Sequence, residues 1–448
     1  MRTAAPVLPG SSHTLESPID RALSLLFANE REAALRWAAA IVKHDPLMAT
    51  GLVVCGRLLG DLGRQEVGRE ACKLAVSRAI DLENLPLAVV AARQFEELGG
   101  DPNSLLDEIA EAFCRDSPRL GEGMPPPPPL PPAESFQPLH AVLMGASLLN
   151  KATEIVHEAH RQHLTETARP GIAQLPLFSK LDCAGLRALV GAFSAEWIPE
   201  TTRVVEQGSE GTDAYFVARG ELHAERERDG ETVTLSRLTN GAVFGEMALL
   251  SRAPRAAGVF ASRPTIVVRV SRDALDGVVS KHPEVGDELS VFARERMVSN
   301  LIRMSELFAL VREEGRSALV AGCTPRLIEK GQVLFFRGRP ADGVHLIASG
   351  EVSQTSLDES GEPLVRGTLS AGDVVGHDSL VLRRPMEVEV VALHPTVTLF
   401  LSEEDFHAVI DSEPRILLAL YKLAVRSDSD AKTIREEATT VVDDSVLV

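Results

Sequence analysis

Residues 214–238 read AYFVARGELHAERERDGETVTLSRL. The runs AYFVARG, LHAERER and TVTLSRL alternate with the turn pairs Gly220-Glu221 and Asp229-Gly230. Short strands at near-regular spacing, joined by tight turns, predict an antiparallel sandwich or jelly roll. RVVEQ (203–207) precedes this stretch and IVVRVS (266–271) follows it, with a short helix-like insert, GEMALL (245–250), between them. A helix over DCAGLRALVGAF (182–193) opens the unit, and one over 284–303 closes it.

The unit recurs. Leu177-Phe178 is matched by Leu307-Phe308, Gly208 by Gly338 and Gly220-Glu221 by Gly350-Glu351, each 130 residues on. Gly241 and Gly372, and Gly245 and Gly376, stand 131 apart. Landmarks held at one offset identify a tandem duplication of one domain. The second copy ends in a helix expected near 413–426.

The rest of the chain is of another kind. Residues 18–115 read as helix throughout, with LLFANEREAAL, LLGDLGRQEV and FEELGGDPNSLL recurring at intervals of about 33 to 37 residues, a helical-hairpin period. This region weakly resembles tetratricopeptide repeats, which implies an interaction surface; an unrelated helical bundle is the competing reading. Pro125 to Pro132 (PPPPPLPP) marks a linker over 116–135, extended in polyproline II form. A helix is expected over 137–166, within a connecting segment 136–168; its His157, His160 and His163 lack a third ligand at compelling spacing, so a solvated face is preferred over a metal site. The expected architecture is therefore α+β multidomain: helical hairpins 18–115, linker, connecting helix, jelly rolls 174–302 and 303–426, and an acidic tail 427–448.

Composition bounds the function. The chain has 448 residues, enough for about three domains at roughly 150 residues each. Its net charge of −18 repels phosphate backbones, which argues against nucleic acid as a partner. No apolar stretch approaches the ~20 residues of a membrane helix, and no signal-peptide core is present at the start. Cys55, Cys72, Cys114, Cys183 and Cys323 are odd in number and form no CxxC, so reduced, mostly buried thiols in the cytoplasm are expected.

The chemistry lies in Phe244-Gly245-Glu246-Met247-Ala248-Leu249-Leu250, followed by Ser251-Arg252-Ala253-Pro254-Arg255-Ala256-Ala257. A glycine before a short helix lets the backbone approach a ligand, and the helix start offers free N–H groups to an anion. Glu246 accepts from hydroxyls, and Arg255 can fork across two phosphate oxygens. Pro254 biases Ala253 toward extended backbone and so presents Arg255 in a defined direction. A carboxylate and a guanidinium at the two ends of one insert suit a ligand with a hydroxyl and a single negative phosphate.

FGEMALLSRAPRAA closely resembles the phosphate-binding cassette of cyclic nucleotide-binding domains, and LPLFSKL, DAYFVARGEL and NGAVFGE fit the same family. The resemblance covers roughly 174–302, with a weaker copy over 303–426. It implies that Glu246 binds the ribose 2′-hydroxyl, that Arg255 binds the exocyclic phosphate oxygens, and that N–H groups near Ala248 and Ala256 complete the cradle. The ligand-binding set is then Phe244, Gly245, Glu246, Met247, Ala248, Arg255, Ala256 and Ala257. Alanine directly after the arginine leans toward cyclic AMP rather than cyclic GMP. A retained motif without binding, or an internal Glu246–Arg255 salt bridge, is the competing reading.

In the second copy His377 stands where Glu246 does and Met386 where Arg255 does. Both anchors are lost. Arg383 or Arg384 could take the phosphate only from a shifted position, so a structural partner of the first copy is expected, one that also lends a lid over the base. No helix-turn-helix, kinase glycine loop, Walker sequence or catalytic Cys/His pairing is visible, so neither a gene regulator nor an enzyme is expected, and no cofactor. Regulatory subunits of cyclic AMP-dependent kinases resemble this tandem architecture, but the inhibitory Arg-Arg-X-Ser-like stretch of that family is missing between Pro132 and Leu175. The leading expectation is a cytoplasmic cyclic nucleotide receptor or adaptor, with cyclic AMP as ligand, a protein partner on the N-terminal helices and homo-oligomerisation left open. A scaffold with non-binding jelly rolls is the alternative.

Overall fold

The computed structural model describes residues 16–123, 128–165, 171–228, 231–246, 254–357 and 361–425. Asp229-Gly230, Pro125 to Pro127 and the tail 427–448 lie outside them. The chain folds as a helical N-terminal region followed by two β jelly rolls with flanking helices.

Three helical hairpins come first: α1 (Pro18–Phe27) with α2 (Arg31–His44), α3 (Ala49–Asp61) with α4 (Gln65–Asp81), and α5 (Leu85–Glu97) with α6 (Asn103–Phe113). Ser17 caps α1 in a reciprocal box with Asp20, and Pro18 sits in the first turn, where its missing N–H costs nothing. Gly63 and Gly99 end α3 and α5 in the left-handed region, at φ +87° and +81°. Helix α7 spans Gly145–Thr165 and packs on α2, α3 and α4.

The helix expected from residue 137 begins only at 145. Residues 138–144 are instead captured by the hairpins: the Leu139 N–H donates to the Arg36 carbonyl, and Arg36 donates to the Leu143 carbonyl. Phe136 likewise stacks on Trp37, at 6.0 Å between ring centroids.

The first jelly roll opens with a 3-10 turn (Phe178–Lys180) and α8 (Cys183–Gly191), the latter capped by Asp182. Its strands are β1 (Ser194–Ile198), β2 (Arg203–Val205), β3 (Asp213–Arg219), β4 (Leu222–Arg228), β5 (Glu231–Leu238), β6 (Val243–Phe244), β7 (Gly258–Ala261) and β8 (Thr265–Ser271). They form two antiparallel sheets, ordered β1-β8-β3-β6 and β2-β7-β4-β5. Helices α9 (Arg272–Val279) and α10 (Pro283–Met304) follow.

The second jelly roll repeats this with α11 (Glu306–Leu310), α12 (Glu313–Gly322), strands β9 (Thr324–Ile328), β10 (Val333–Phe335), β11 (Gly343–Ser349), β12 (Glu351–Leu357), β13 (Pro363–Ser370), β14 (Val374–Val375), β15 (Glu389–Ala392) and β16 (Thr396–Ser402), α13 (His377–Leu382) and α14 (Glu403–Ser412). A last helix spans 415–425. The duplication extends to atomic detail. A Cβ on Gly220 or on Gly350 would lie 2.4 Å from the hydroxyl of Thr265 or Thr396 respectively, so both hairpin turns need glycine at the same buried threonine.

Strand β3 is apolar at every inner position because both its faces are covered. Ala214, Phe216 and Ala218 join the helical core, while Tyr215 and Val217 point into the jelly roll. Helix α5 lies across β1, β3 and β8, and Phe178, Phe193 and Phe216 meet with centroids 5.3 to 6.4 Å apart. Polar contacts seal the seam. Buried Asp20 meets Arg219 at 2.5 Å and Arg263 at 3.0 Å, Asn84 donates to the Ala218 carbonyl, and Arg57 lies over the Trp197 ring. Arg93 donates to the Phe193 and Gly191 carbonyls.

Cys114 and Cys183 form a disulfide, contrary to the expectation of reduced thiols throughout. Packing of α6 on α8 brings the two Cα atoms to 4.9 Å across 69 residues of sequence, a proximity that spacing along the chain cannot reveal. Cys55, Cys72 and Cys323 are free.

Candidate functional site

Strand β6 delivers the cassette. Gly245 follows it at φ +80°, a conformation that costs residues with a Cβ. An added Cβ would meet the Asp213 carbonyl at 2.7 Å and Arg255 Nη1 at 2.5 Å, so the position excludes any side chain. Phe244 stacks on Tyr215, at 4.9 Å between centroids, and fixes the end of β6 against β3.

Arg255 is buried, with 8% of its surface exposed. It donates from Nη1 to the Gly245 carbonyl (2.8 Å) and from Nη2 to the Asp213 carbonyl (2.7 Å). Its own backbone is tied down, N–H to the Ser209 carbonyl and C=O from the Gly208 N–H, both at 2.9 Å. Burial pushes the guanidinium below its ordinary value, against the pull of Tyr215, Asp213 and Glu246. A desolvated cation held by neutral carbonyls favours an anion beside it.

Glu246 is also buried. It does not pair with Arg255: its charged neighbour is Arg296 of α10, with Nε 3.8 Å from Oε1. Burial raises the carboxyl above the usual range, while Arg296, the local backbone and Arg255 act in the opposite direction.

The structure brings Phe244, Gly245, Glu246, Arg255, Ala256 and Ala257 to the wall of one cavity. Met247 and Ala248 lie outside the described residues. The sequence reading missed the far wall, where Arg296, Asn300 and Arg303 come from α10 and Ala348 and Ser349 from β11 of the second jelly roll. No spacing rule links them to the cassette, since only the path of α10 brings them there. That helix is shared. Val285 and Phe292 belong to the core of the first jelly roll, Met297 and Leu301 to the core of the second. A second tie between the jelly rolls runs from Arg226 of β4, which donates to the Ala371 carbonyl from both Nη1 and Nη2 at 3.0 Å.

The corresponding place in the second copy is filled. The backbone repeats faithfully, with the Gly338 N–H donating to the Met386 carbonyl and the Met386 N–H to the Arg339 carbonyl. The Met386 side chain is 2% exposed and packs with Phe335, Ile347 and Val390, so an apolar plug occupies the place of the guanidinium. His377 is buried with neither ring nitrogen hydrogen-bonded, and Arg384 is paired with Glu387 at 3.2 Å.

The family model described as cyclic nucleotide-binding domain matches residues 195–282 and again 325–413. The chain carries two tandem cyclic nucleotide-binding domains. It is similar to a cAMP-dependent protein kinase regulatory subunit of Yarrowia lipolytica, 26% identical over 234 residues, which are 52% of this chain and 58% of that protein. A protein of the same description from Colletotrichum orbiculare is 27% identical over 289 residues, covering 62% of this chain and 69% of that one. The chain thus spans under two thirds of the Yarrowia relative. Among solved structures it is similar to the regulatory domain of Toxoplasma gondii PKA with cAMP, at 23% identity and a TM-score of 0.28, covering 56% of this chain and 92% of that one. Both matched ranges begin after residue 194, so the N-terminal hairpins are additional to the two cyclic nucleotide-binding domains. Among the described residues no group of three metal-ligating side chains is placed to hold an ion, and no helix is long and apolar enough to cross a membrane.

Proposed function

We propose that the first cyclic nucleotide-binding domain takes up a cyclic nucleotide, with cyclic AMP favoured, and that the chain is a regulatory receptor rather than an enzyme. The observation that carries this reading is the cavity in which Glu246, Gly245 and Arg255 share a wall. Arg255 would donate to the exocyclic phosphate oxygens, Glu246 would accept from the ribose hydroxyl, and Ala256 would stand beside the phosphate, where a hydroxyl-bearing residue would lean toward cyclic GMP. The second domain, plugged by Met386, would serve as a structural partner and cap.

Relay follows from α10. Because its two halves belong to different cores, a ligand that alters its seat on the first domain alters where the second domain sits. A ligand shifts such an equilibrium only by its differential affinity, ordinarily ~1–3 kcal/mol. The helical hairpins remain the candidate surface for a protein partner in the cytoplasm. The face built from α1, α3 and α5 is engaged with the first jelly roll, so a partner would use the hairpins' other surfaces.

Calorimetric titration of the full chain with cyclic AMP and with cyclic GMP, beside Arg255→Ala, tests the reading. Micromolar or tighter binding, lost in the variant, is expected. Absence of heat from folded protein with either ligand would leave the scaffold alternative in its place.

A further inference from the structure

The two jelly rolls share one loop clasp but dress it with different charges. In the first, backbone hydrogen bonds of Gly208 and Ser209 to Arg255 join the loop after β2 to the loop before β7. The charged residues of those loops are Glu206, Glu210, Arg252 and Arg255, and Arg255 is buried. In the second, Gly338 and Arg339 bond to Met386 in the same pattern, at 2.8 and 2.9 Å. Buried Ser379 adds a further tie, accepting from the Ala341 N–H at 3.0 Å and donating to the Arg384 carbonyl at 2.6 Å. Here the loops carry Phe336, Arg337, Arg339, Arg383 and Arg384. The inner guanidinium has given way to the Met386 plug, and arginines stand on the outside of the same two loops.

Arg337, Arg339 and Arg383 are exposed, and neither Arg337 nor Arg383 has an ion-pair partner among the described residues. Arg384 pairs with Glu387, the one carboxylate on these loops. Phe336 is 51% exposed, with the Arg339 guanidinium 5.4 Å from its ring centroid. On a chain of net charge −18 this face has the opposite sign to the whole. Guanidinium forks take carboxylates two bonds at a time, and an aromatic ring beside them offers an apolar anchor. We infer that this face of the second jelly roll is a docking surface for an acidic peptide segment of a partner protein. Arg337, Arg339 and Arg383 take its carboxylates, and Phe336 takes an apolar side chain between them. A membrane surface or a nucleic acid duplex would also meet the repulsive field of the rest of the chain. A short segment meets only the charges within a Debye length, ~8 Å at physiological salt. The inference is independent of nucleotide binding by the first domain.

The full chain serves as bait for a phage-displayed library of random peptides, with the triple variant Arg337→Gln, Arg339→Gln, Arg383→Gln as counter-bait. The variant should keep the wild-type urea midpoint, because the three side chains are exposed. Peptides rich in Asp and Glu, with an interspersed Leu, Phe or Trp, should be enriched on wild type. An enriched peptide, fluorescein-labelled, should bind the triple variant about tenfold more weakly by anisotropy, since three exposed ion pairs are lost. Its affinity for wild type should fall as salt rises, and its analogue with amides in place of the carboxylates should not bind. Phe336→Ser should weaken binding severalfold and leave the salt dependence unchanged. No enrichment, enrichment of peptides without acidic residues, or equal affinity for the triple variant would overturn the inference. Tighter binding of phosphatidylserine vesicles or of duplex DNA than of the peptide would overturn it too, by assigning the face to another class of partner. No cyclic nucleotide enters these measurements, so failure of the receptor reading leaves their outcome untouched.

Discussion

At the scale of single residues, the cassette depends on one backbone conformation and one guanidinium. Gly245→Ala would force a Cβ to within 2.7 Å of a backbone carbonyl at a positive φ, so strain and clash combine. Gly241, at φ +79° with nothing within 4 Å of its added Cβ, isolates the conformational part. We expect Gly241→Ala to cost about 1–2 kcal/mol in urea unfolding and to leave nucleotide affinity in place, whereas Gly245→Ala should cost more and weaken binding as well. Arg255→Ala should cost ~2–5 kcal/mol of binding free energy, roughly 30- to several-thousand-fold in Kd by calorimetry. The motif residues were legible in the sequence because their chemistry is local. Arg296 was not, because its relation to Glu246 exists only once α10 has packed across β6.

Among the elements, α1 offers the sharpest test of how the hairpins are held. Asp20 caps α1 through Ser17 and also faces Arg219 and Arg263 of the first jelly roll. Burial by itself would raise its carboxyl, but the Arg219 charge and the Ser17 hydrogen bonds prevail and hold it below its ordinary value of 3.8. A depressed folded value contributes stability that is present above about pH 4 and lost as pH falls through the folded value. Asp20→Asn should destabilise by ~3–5 kcal/mol at pH 7, since it leaves two arginines facing a neutral group, and should flatten the acid limb of an unfolding-free-energy profile below pH 4. An unchanged acid limb would refute the assignment. That residues from 18 onward are helical was readable from sequence; the Ser17 cap and the arginines 199 and 243 residues beyond Asp20 were not.

The second jelly roll responds to acid in another window. His345 is buried beside Thr398, with Nδ1 2.8 Å from Oγ1, and burial, reinforced by Arg326, lowers its pKa to about 4. His377 is lowered too, by burial, with Asp378 and the Val374 carbonyl opposing. Both are held neutral, so their contribution is present above the unfolded value of about 6.5 and is lost as pH falls toward 4. His345 alone accounts for about 3 kcal/mol over that range. Near-native scans from pH 7 to 4 should therefore find this jelly roll melting first, and His345→Phe should remove much of the difference; equal acid sensitivity of the two halves would contradict it.

For the whole molecule, the prediction concerns motion. The hairpins and the first jelly roll share one continuous apolar core, so they should move as one body, while the second jelly roll rides on α10. Nucleotide at 100 times its Kd should raise stability by ~2.7 kcal/mol by mass action. It should also change the spacing between the two jelly rolls in solution scattering, most visibly when Arg226→Ala removes the donor to the Ala371 carbonyl. Constant spacing with and without ligand would refute the relay.

The sequence by itself determined the duplication, the jelly rolls, the cassette and the loss of both anchors in the second copy. Each is written in local spacing: period-two strands, turn glycines, and charged residues a fixed number of positions apart. Only the tertiary structure decided that α5 closes the outer face of the first sheet, that Cys114 meets Cys183, that Met386 plugs the second site, and that Arg296 faces Glu246. Those pairings join residues tens to hundreds of positions apart, and burial that excludes water from both partners exists only after the elements have packed.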